Sequence, residues 1–148
     1  MHIFYWSPFI SKVATVSSVI RSAESIAIYS KGKAEVSLID AMGEWQEYKK
    51  KIHSKINIIK LNKNDYHNYL FRGGYIKSRL SYLIIFFLNF NKLKNLINNK
   101  KPNFLIIHLM TSLPIFLTLF FKSDTKIILR ISGLPKLNIL RYFFWKLF

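Results

Sequence analysis

A chain of 148 residues without cysteine can bury one sizeable core, is short for two domains, and cannot form disulfides or thiolate metal sites. Its 23 Lys plus Arg against 7 Asp plus Glu give a formal net charge of +16, a field that favours phosphates, nucleic acid or an anionic membrane leaflet. Charge does not choose among these, because Lys, Asn and Ile abound together as an AT-rich genome would make them without functional demand.

The start, MHIFYWSPFI, lacks a basic n-region and a small-residue cleavage site and does not read as a signal peptide. His2 to Trp6 is a short apolar run that predicts a first strand, left through Ser7-Pro8. Between Ser11 and Tyr29, Val13, Val16, Ile20, Ala23, Ile26 and Ala27 recur three or four apart with Lys12, Arg21 and Glu24 between them, which predicts an amphipathic helix. Lys31-Gly32-Lys33 stops it. Ala34 to Ile39 predicts a second strand, closed by Asp40 and the segment 41–45.

Tyr48 to Lys55 reads as a basic helix or turn, and Ile56 to Leu61 as a third strand, followed by the polar, Gly-containing loop NKNDYHNYLFRGGY. A long helix is predicted over about Ile76 to Asn99, apolar nearly all round in SRLSYLIIFFLNF and polar in NKLKNLINNKK. Pro102 breaks it, and Asn103 to Leu109 has the uninterrupted apolar character of a strand buried on both faces. Thr111 or Ser112 caps a further helix running to about Phe121, with Pro114 tolerated in its first turn. Lys126 to Ile131 predicts a fifth strand, and Ser132-Gly133-Leu134-Pro135 turns into a last helix. That helix ends in ILRYFFWKLF with no Gly cap, Pro or polar tail, the pattern of a longer protein cut short.

Alternating strands and helices without repeat or linker predict an α/β fold, a Rossmann-like doubly wound parallel sheet of order 3-2-1-4-5. A membrane span over Phe104 to Phe121, 18 residues without formal charge, is the rival reading. His108, Thr111, Ser112 and Pro114 at its centre oppose it.

In such folds ligands gather outside the carboxyl ends of the strands, so His108, Thr111, Ser112, Arg130, Ser132 and Gly133 are candidate site residues. The first loop, Ser7 to Thr15, adds Ser7, Ser11, Lys12 and Thr15 at the start of a helix, where free amides attract anions. A plain strand-to-helix turn with Ser11 as cap is the competing reading of that loop. The loop carries no GxGxxG, which argues against a dinucleotide dehydrogenase. His108 suits a hydrogen bond to a sugar hydroxyl or a basic role, against the plainer reading of a satisfied core histidine. Arg130 suits bidentate binding of phosphate, against a structural pair with Asp40 or Glu44. Gly133 suits a turn needing positive φ. Asp40 and Glu44 could bind sugar hydroxyls, although no carboxylate pair has a spacing that specifies acid and base roles. No His and carboxylate cluster has metal-ligand spacing, so no metal is expected.

The segments YWSPFISKVATVSSVIRSAES, LIDAMGEW, FRGGYIKSRLSYLIIF, KPNFLIIHLMTSLP and IILRISGLPKLNILRYFFWK together resemble the N-terminal, acceptor-side domain of bacterial family 4 (group 1) glycosyltransferases. The likeness is one of strand ends and loops over essentially the whole of residues 1–148. It implies a GT-B enzyme of two Rossmann-like domains, the N-terminal one taking an envelope polysaccharide or lipid-linked acceptor and the C-terminal one a nucleotide-sugar. The family's donor domain, with its paired glutamates, has no counterpart in these residues, so the resemblance implies a domain incomplete for transfer by itself, with a separate donor-domain chain as a conceivable partner. No cofactor is implied beyond the nucleotide-sugar as co-substrate. The first loop approaches phosphates in the family, but here lacks the usual glycines.

The resemblance places the protein in the cytoplasm, peripheral at the inner face of the membrane. Leu80 to Phe90, flanked by Lys77, Arg79, Lys92 and Lys94, is a candidate for docking on an anionic membrane surface. A non-enzymatic basic peripheral membrane protein is the alternative from another class. Nucleic acid is not an expected partner, because only charge suggests it and no helix-turn-helix, zinc or RNP pattern is present.

Overall fold

The structure is a computed structural model that describes residues 1–108, 113, 114, 116, 117 and 123–130. Strands β1 (His2–Trp6), β2 (Glu35–Asp40), β3 (Ile56–Lys60), β4 (Phe104–His108) and β5 (Lys126–Arg130) form one sheet. Its order is β3-β2-β1-β4-β5 and every pair is parallel, a Rossmann-like arrangement with the predicted strand order. Helices α1 (Ala14–Tyr29) and α2 (Tyr75–Lys100) connect β1 to β2 and β3 to β4. Phe104 to His108 is a strand, and among the described residues no helix is long and apolar enough to cross a membrane.

Alternation along the strands sorts the core into two layers. Ile3, Tyr5, Val36, Leu38 and Ile106 face α1, meeting Val16, Val19, Ile20, Ala23 and Ala27. Phe4, Trp6, Ile39, Leu105 and Ile107 face the other way, onto Ile85, Leu93 and Ile97 of α2 and onto Leu113 and Leu117. β1 is therefore covered on both faces, as the unbroken apolar run 3–6 demands.

Two local readings need correction, and a third settles between its alternatives. Ser11 does not cap α1: the helix begins at Ala14, its N-cap is Val13, and no side chain bonds the first turn. Phe9 and Ile10 are buried, Phe9 against the rings of Trp45, Tyr48 and His67, and this anchor delays the helix. The basic stretch from Tyr48, expected as a helix or a turn, takes the turn. A short 3-10 turn at Gln46–Tyr48 and further turns bridge β2 to β3, with Tyr48 and Ile52 packed against the α1-side core. The second strand ends one residue later than predicted, since Asp40 pairs with Lys60 across the sheet.

α2 buries a single stripe, Ser81, Ile85, Asn89, Leu93 and Ile97, including two polar residues in a helix with ample apolar ones. The Asn89 side-chain amide donates to the Ile85 carbonyl at 2.9 Å, and its oxygen accepts from Asn62 at 2.9 Å. Asn62 also donates to the Ala41 carbonyl and accepts from Lys92 Nζ. The opposite face, with Ile76, Leu83 and Phe87, stays exposed. Lys101 takes left-handed backbone, φ 43°, and ends the helix by donating its amide to the Ile97 carbonyl.

Gly43 also has positive φ, +93°, and a Cβ there would lie 2.6–2.8 Å from Asp65 side-chain atoms. Gly43→Ala is expected to cost roughly 1–3 kcal/mol. Gly32→Ala, at φ +80° with nothing within 4 Å, carries only the left-handed strain of about 1 kcal/mol. The difference between their urea midpoints checks the close approach to Asp65.

Candidate functional site

Because every strand is parallel, the five carboxyl ends open on one edge, and the winding reverses at β1, between β2 and β4. That reversal is where a crevice forms in such sheets. Trp6 and Ile107 are register partners, so Ser7 and His108 leave the edge side by side, and His108 and Arg130 are partners in turn. α1 runs back from this edge, which brings its amino end there too. No acidic residue lies in its first turn and no side chain caps it; the Val16 amide donates to the Val13 carbonyl at 3.0 Å, which leaves the amides of Ala14 and Thr15 and the dipole to an anion.

Two polar atoms at this edge are buried without a hydrogen-bond partner among the described residues, Ser7 Oγ and His108 Nε2. Ser7 is 1% exposed and His108 2%. Groups of this kind are costly unless something else satisfies them. Arg130, exposed at the end of the neighbouring strand, supplies positive charge close by. Burial first, and then that guanidinium, depress the His108 pKa from 6.5 to about 4, so the imidazole is neutral at physiological pH. Its ring stacks on Tyr5, centroids 5.7 Å apart. The Tyr5 hydroxyl meets Ser22 Oγ at 2.9 Å, and burial raises its pKa.

The remaining predicted residues fall in two places. Ser11 and Lys12 are exposed on the first loop and Thr15 is half-buried in the first turn of α1. Lys12 Nζ pairs with Glu47 at 2.9 Å, both well exposed, so an incoming anion competes with a carboxylate there. The pairing raises the Lys12 pKa and lowers that of Glu47. Thr111, Ser112, Ser132 and Gly133 lie outside the described residues.

Arg130 is not the structural partner of Asp40 or Glu44. β2 and β5 are separated by β1 and β4, roughly 14 Å at ordinary strand spacing. Both carboxylates are instead spent locally. Asp40 accepts from the Gly43 amide at 2.7 Å and from Gln46 at 3.0 Å. Glu44 accepts from the amides of Ala41 and Met42 at 3.0 and 2.7 Å. The two acids share one buried turn, which linear spacing did not reveal. Burial and then the Asp40 charge push the Glu44 carboxyl well above its ordinary 4.5.

Two of the concavities lined by described residues open elsewhere. One is apolar, between α2 and β4–β5 near Ile97, Leu105 and Ile127, and one follows the free edge of β3 past Lys49, His53 and Asn57. Neither touches Ser7, His108 or Arg130. Among the described residues no three His, Asp or Glu gather as metal ligands would.

No family model, curated protein or solved structure matches the chain. The edge must therefore be read from its own chemistry: an uncapped helix start, two unsatisfied buried polar atoms and an exposed guanidinium. Such a set has the chemistry to hold an anion or a hydroxyl-rich group.

The depressed His108 pKa carries a stability consequence. The unfolded chain binds the imidazole proton below about 6.5 while the folded one resists it, so stability is lost as pH falls from there toward about 4. The advantage of the parent over His108→Leu should shrink on acidification by up to about 1.4 kcal/mol per pH unit. Glu44 acts with the opposite sign. Its protonated form favours the fold fully below 4.5, and that contribution fades as pH rises through the elevated value, a slope that Glu44→Gln should flatten. Denaturant midpoints across this pH range measure both.

Proposed function

We propose that this domain is the acceptor-side half of a GT-B sugar transferase of the family 4 kind. It would hold an envelope polysaccharide or lipid-linked acceptor against a nucleotide-activated sugar at the inner face of the cytoplasmic membrane. The observation that carries the reading is the pair of unsatisfied buried atoms, Ser7 Oγ and His108 Nε2, at the edge where α1 begins uncapped and Arg130 stands exposed. The overall pattern of strand ends named above supports the same reading.

In that reaction the acceptor oxygen bonds to the anomeric carbon while the bond from that carbon to the diphosphate oxygen breaks. The acceptor proton passes to His108 Nε2, and negative charge grows on the leaving diphosphate. Neutral His108 accepts a hydrogen bond from the attacking hydroxyl and orients it. A nearby anion offsets the Arg130 charge and raises the imidazole's basicity as the leaving group charges. Arg130 and the α1 amides stabilise a phosphate, and Ser7 donates to it or to a sugar hydroxyl. The nucleotide-sugar is the co-substrate, supplied from a donor domain in the same or a second chain.

Glucose 1-phosphate combines the two chemistries and serves as probe, with glucose and inorganic phosphate as controls. Titrated into isotope-labelled protein, it is expected to shift the His108 ring and the amides of residues 7–16, and to bind more tightly than either control. Arg130→Ala should weaken it by about tenfold or more, the loss of one charge-assisted contact. The probe's phosphate gains a proton below about pH 6, so the His108 contribution is read against a variant: between pH 6.5 and 4 the parent should lose less affinity than His108→Leu, because bound anion raises the depressed His108 pKa. A response confined to Lys12 and Glu47, or equal affinity for phosphate and its sugar ester, would sink the reading.

A further inference from the structure

We propose that the free edge of β3 takes an extended, acidic peptide segment as a further strand of the sheet. β3 ends the sheet, and among the described residues no strand pairs with its outer side. Which of its backbone groups face outward follows from one hydrogen bond. The Leu61 amide donates to the Asp40 carbonyl at 2.9 Å, although the register partner of Asp40 is Lys60. In a parallel ladder that pattern turns the backbone groups of Ile59 and Leu61 toward β2, and alternation turns the amides and carbonyls of Ile58 and Lys60 outward. An edge with such groups open is a template on which another strand can pair.

The surroundings of the edge select the occupant. A groove of about 440 Å³ follows it, lined by Ile52, Ile56 and Ile58 together with Lys49, His53 and Lys60. Ile56 and Ile58 belong to the α1-side core and Ile59 to the opposite one, so the groove opens on the α1 side, apolar within and basic around. Residues 46–63 carry six lysines, all exposed, and Glu47 as their one acid. Glu47 is already paired with Lys12 on the first loop. Lys60 meets Asp65 at 3.0 Å, but both side chains are well exposed, and a pair of that kind exchanges partners at little cost. Lysines guard an edge against self-association, and two copies of this chain joined at β3 would press like charges together. The same lysines attract a strand that carries carboxylates. A nucleic acid would match the charge, but its backbone offers no donors to the outward carbonyls of Ile58 and Lys60. The groove lies at the opposite end of the sheet from β5 and Arg130 and includes neither Ser7 nor His108, so this interface stands independently of the sugar-transfer reading.

The test is amide hydrogen exchange of the full chain with a capped heptapeptide that alternates glutamate and valine. A lysine-valine peptide of the same pattern and a thymidine oligonucleotide are the controls. Only the glutamate peptide is expected to slow exchange at Ile58 and Lys60, by about tenfold or more, while Ile59 and Leu61, turned to β2, stay as they were. Lys49→Gln with Lys60→Gln should weaken its binding about fivefold or more and flatten the salt dependence. Both lysines are exposed, and a thermal melt confirms that the variant folds; Lys49→Gln alone should act in the same direction. Absence of binding overturns the proposal, as does binding without protection of Ile58 and Lys60, which is charge attraction alone. Equal protection of these two amides by the oligonucleotide would assign the surface to nucleic acid instead. Their protection on concentrating the parent into a dimer would assign the edge to a second copy.

Discussion

The burial of β1 on both faces is the constraint on which the other features depend. Four consecutive residues, Ile3 to Trp6, are removed from solvent, and none of their backbone groups could be left unpaired there without a large penalty. Strands on either side meet that demand, β2 through one ladder and β4 through the other. Parallel pairing then requires crossovers, and covering two faces requires them to pass on opposite sides, which α1 and α2 do. The reversal of winding beside β1, and with it the crevice between Ser7 and His108, follows from that geometry.

The strands were legible because period and composition agree: apolar runs bounded by Ser-Pro, Lys-Gly-Lys and Pro-Asn place β1, β2 and β4 to within a residue or so, and 3-2-1-4-5 is the usual way to wind them. Local competition was harder to read. Ser11 has the right chemistry for a cap, but the buried Phe9 ring decides where the chain is free to coil, and its partners Trp45, Tyr48 and His67 come from distant segments. The Asp40 and Glu44 turn was hidden for a related reason. Their four-residue spacing resembles one helical turn, whereas a positive-φ glycine between them folds the two carboxyls onto local amides.

His108 and Arg130 were visible as polar residues at strand ends, and their register pairing is a three-dimensional fact that only the sheet supplies. What distinguishes the edge from an ordinary loop cluster is the combination of low exposure and unmet hydrogen-bonding capacity at Ser7 and His108. Neither property is written in residue type. The positive charge of the chain, by contrast, is obvious in composition and uninformative there. Its distribution is uneven: between Asp65 and Asp124, along α2 and its flanks, basic residues run without an acidic one.

The hydrogen bonds of Asn89 have a consequence for how firmly α2 is seated. A helix that leaves Leu83 and Phe87 exposed has a competitor state, reached by rolling about half a turn around its own axis and burying them. Rolling would carry Asn89 away from Asn62 and Lys92 away from the same amide, leaving the Asn62 donor and acceptor short of partners inside the protein. Ser81, which donates to the Phe71 carbonyl at 2.9 Å, resists the same rotation at the other end. The polar stripe thus acts as a key that selects one rotational setting of the helix, trading some hydrophobic burial for a unique packing.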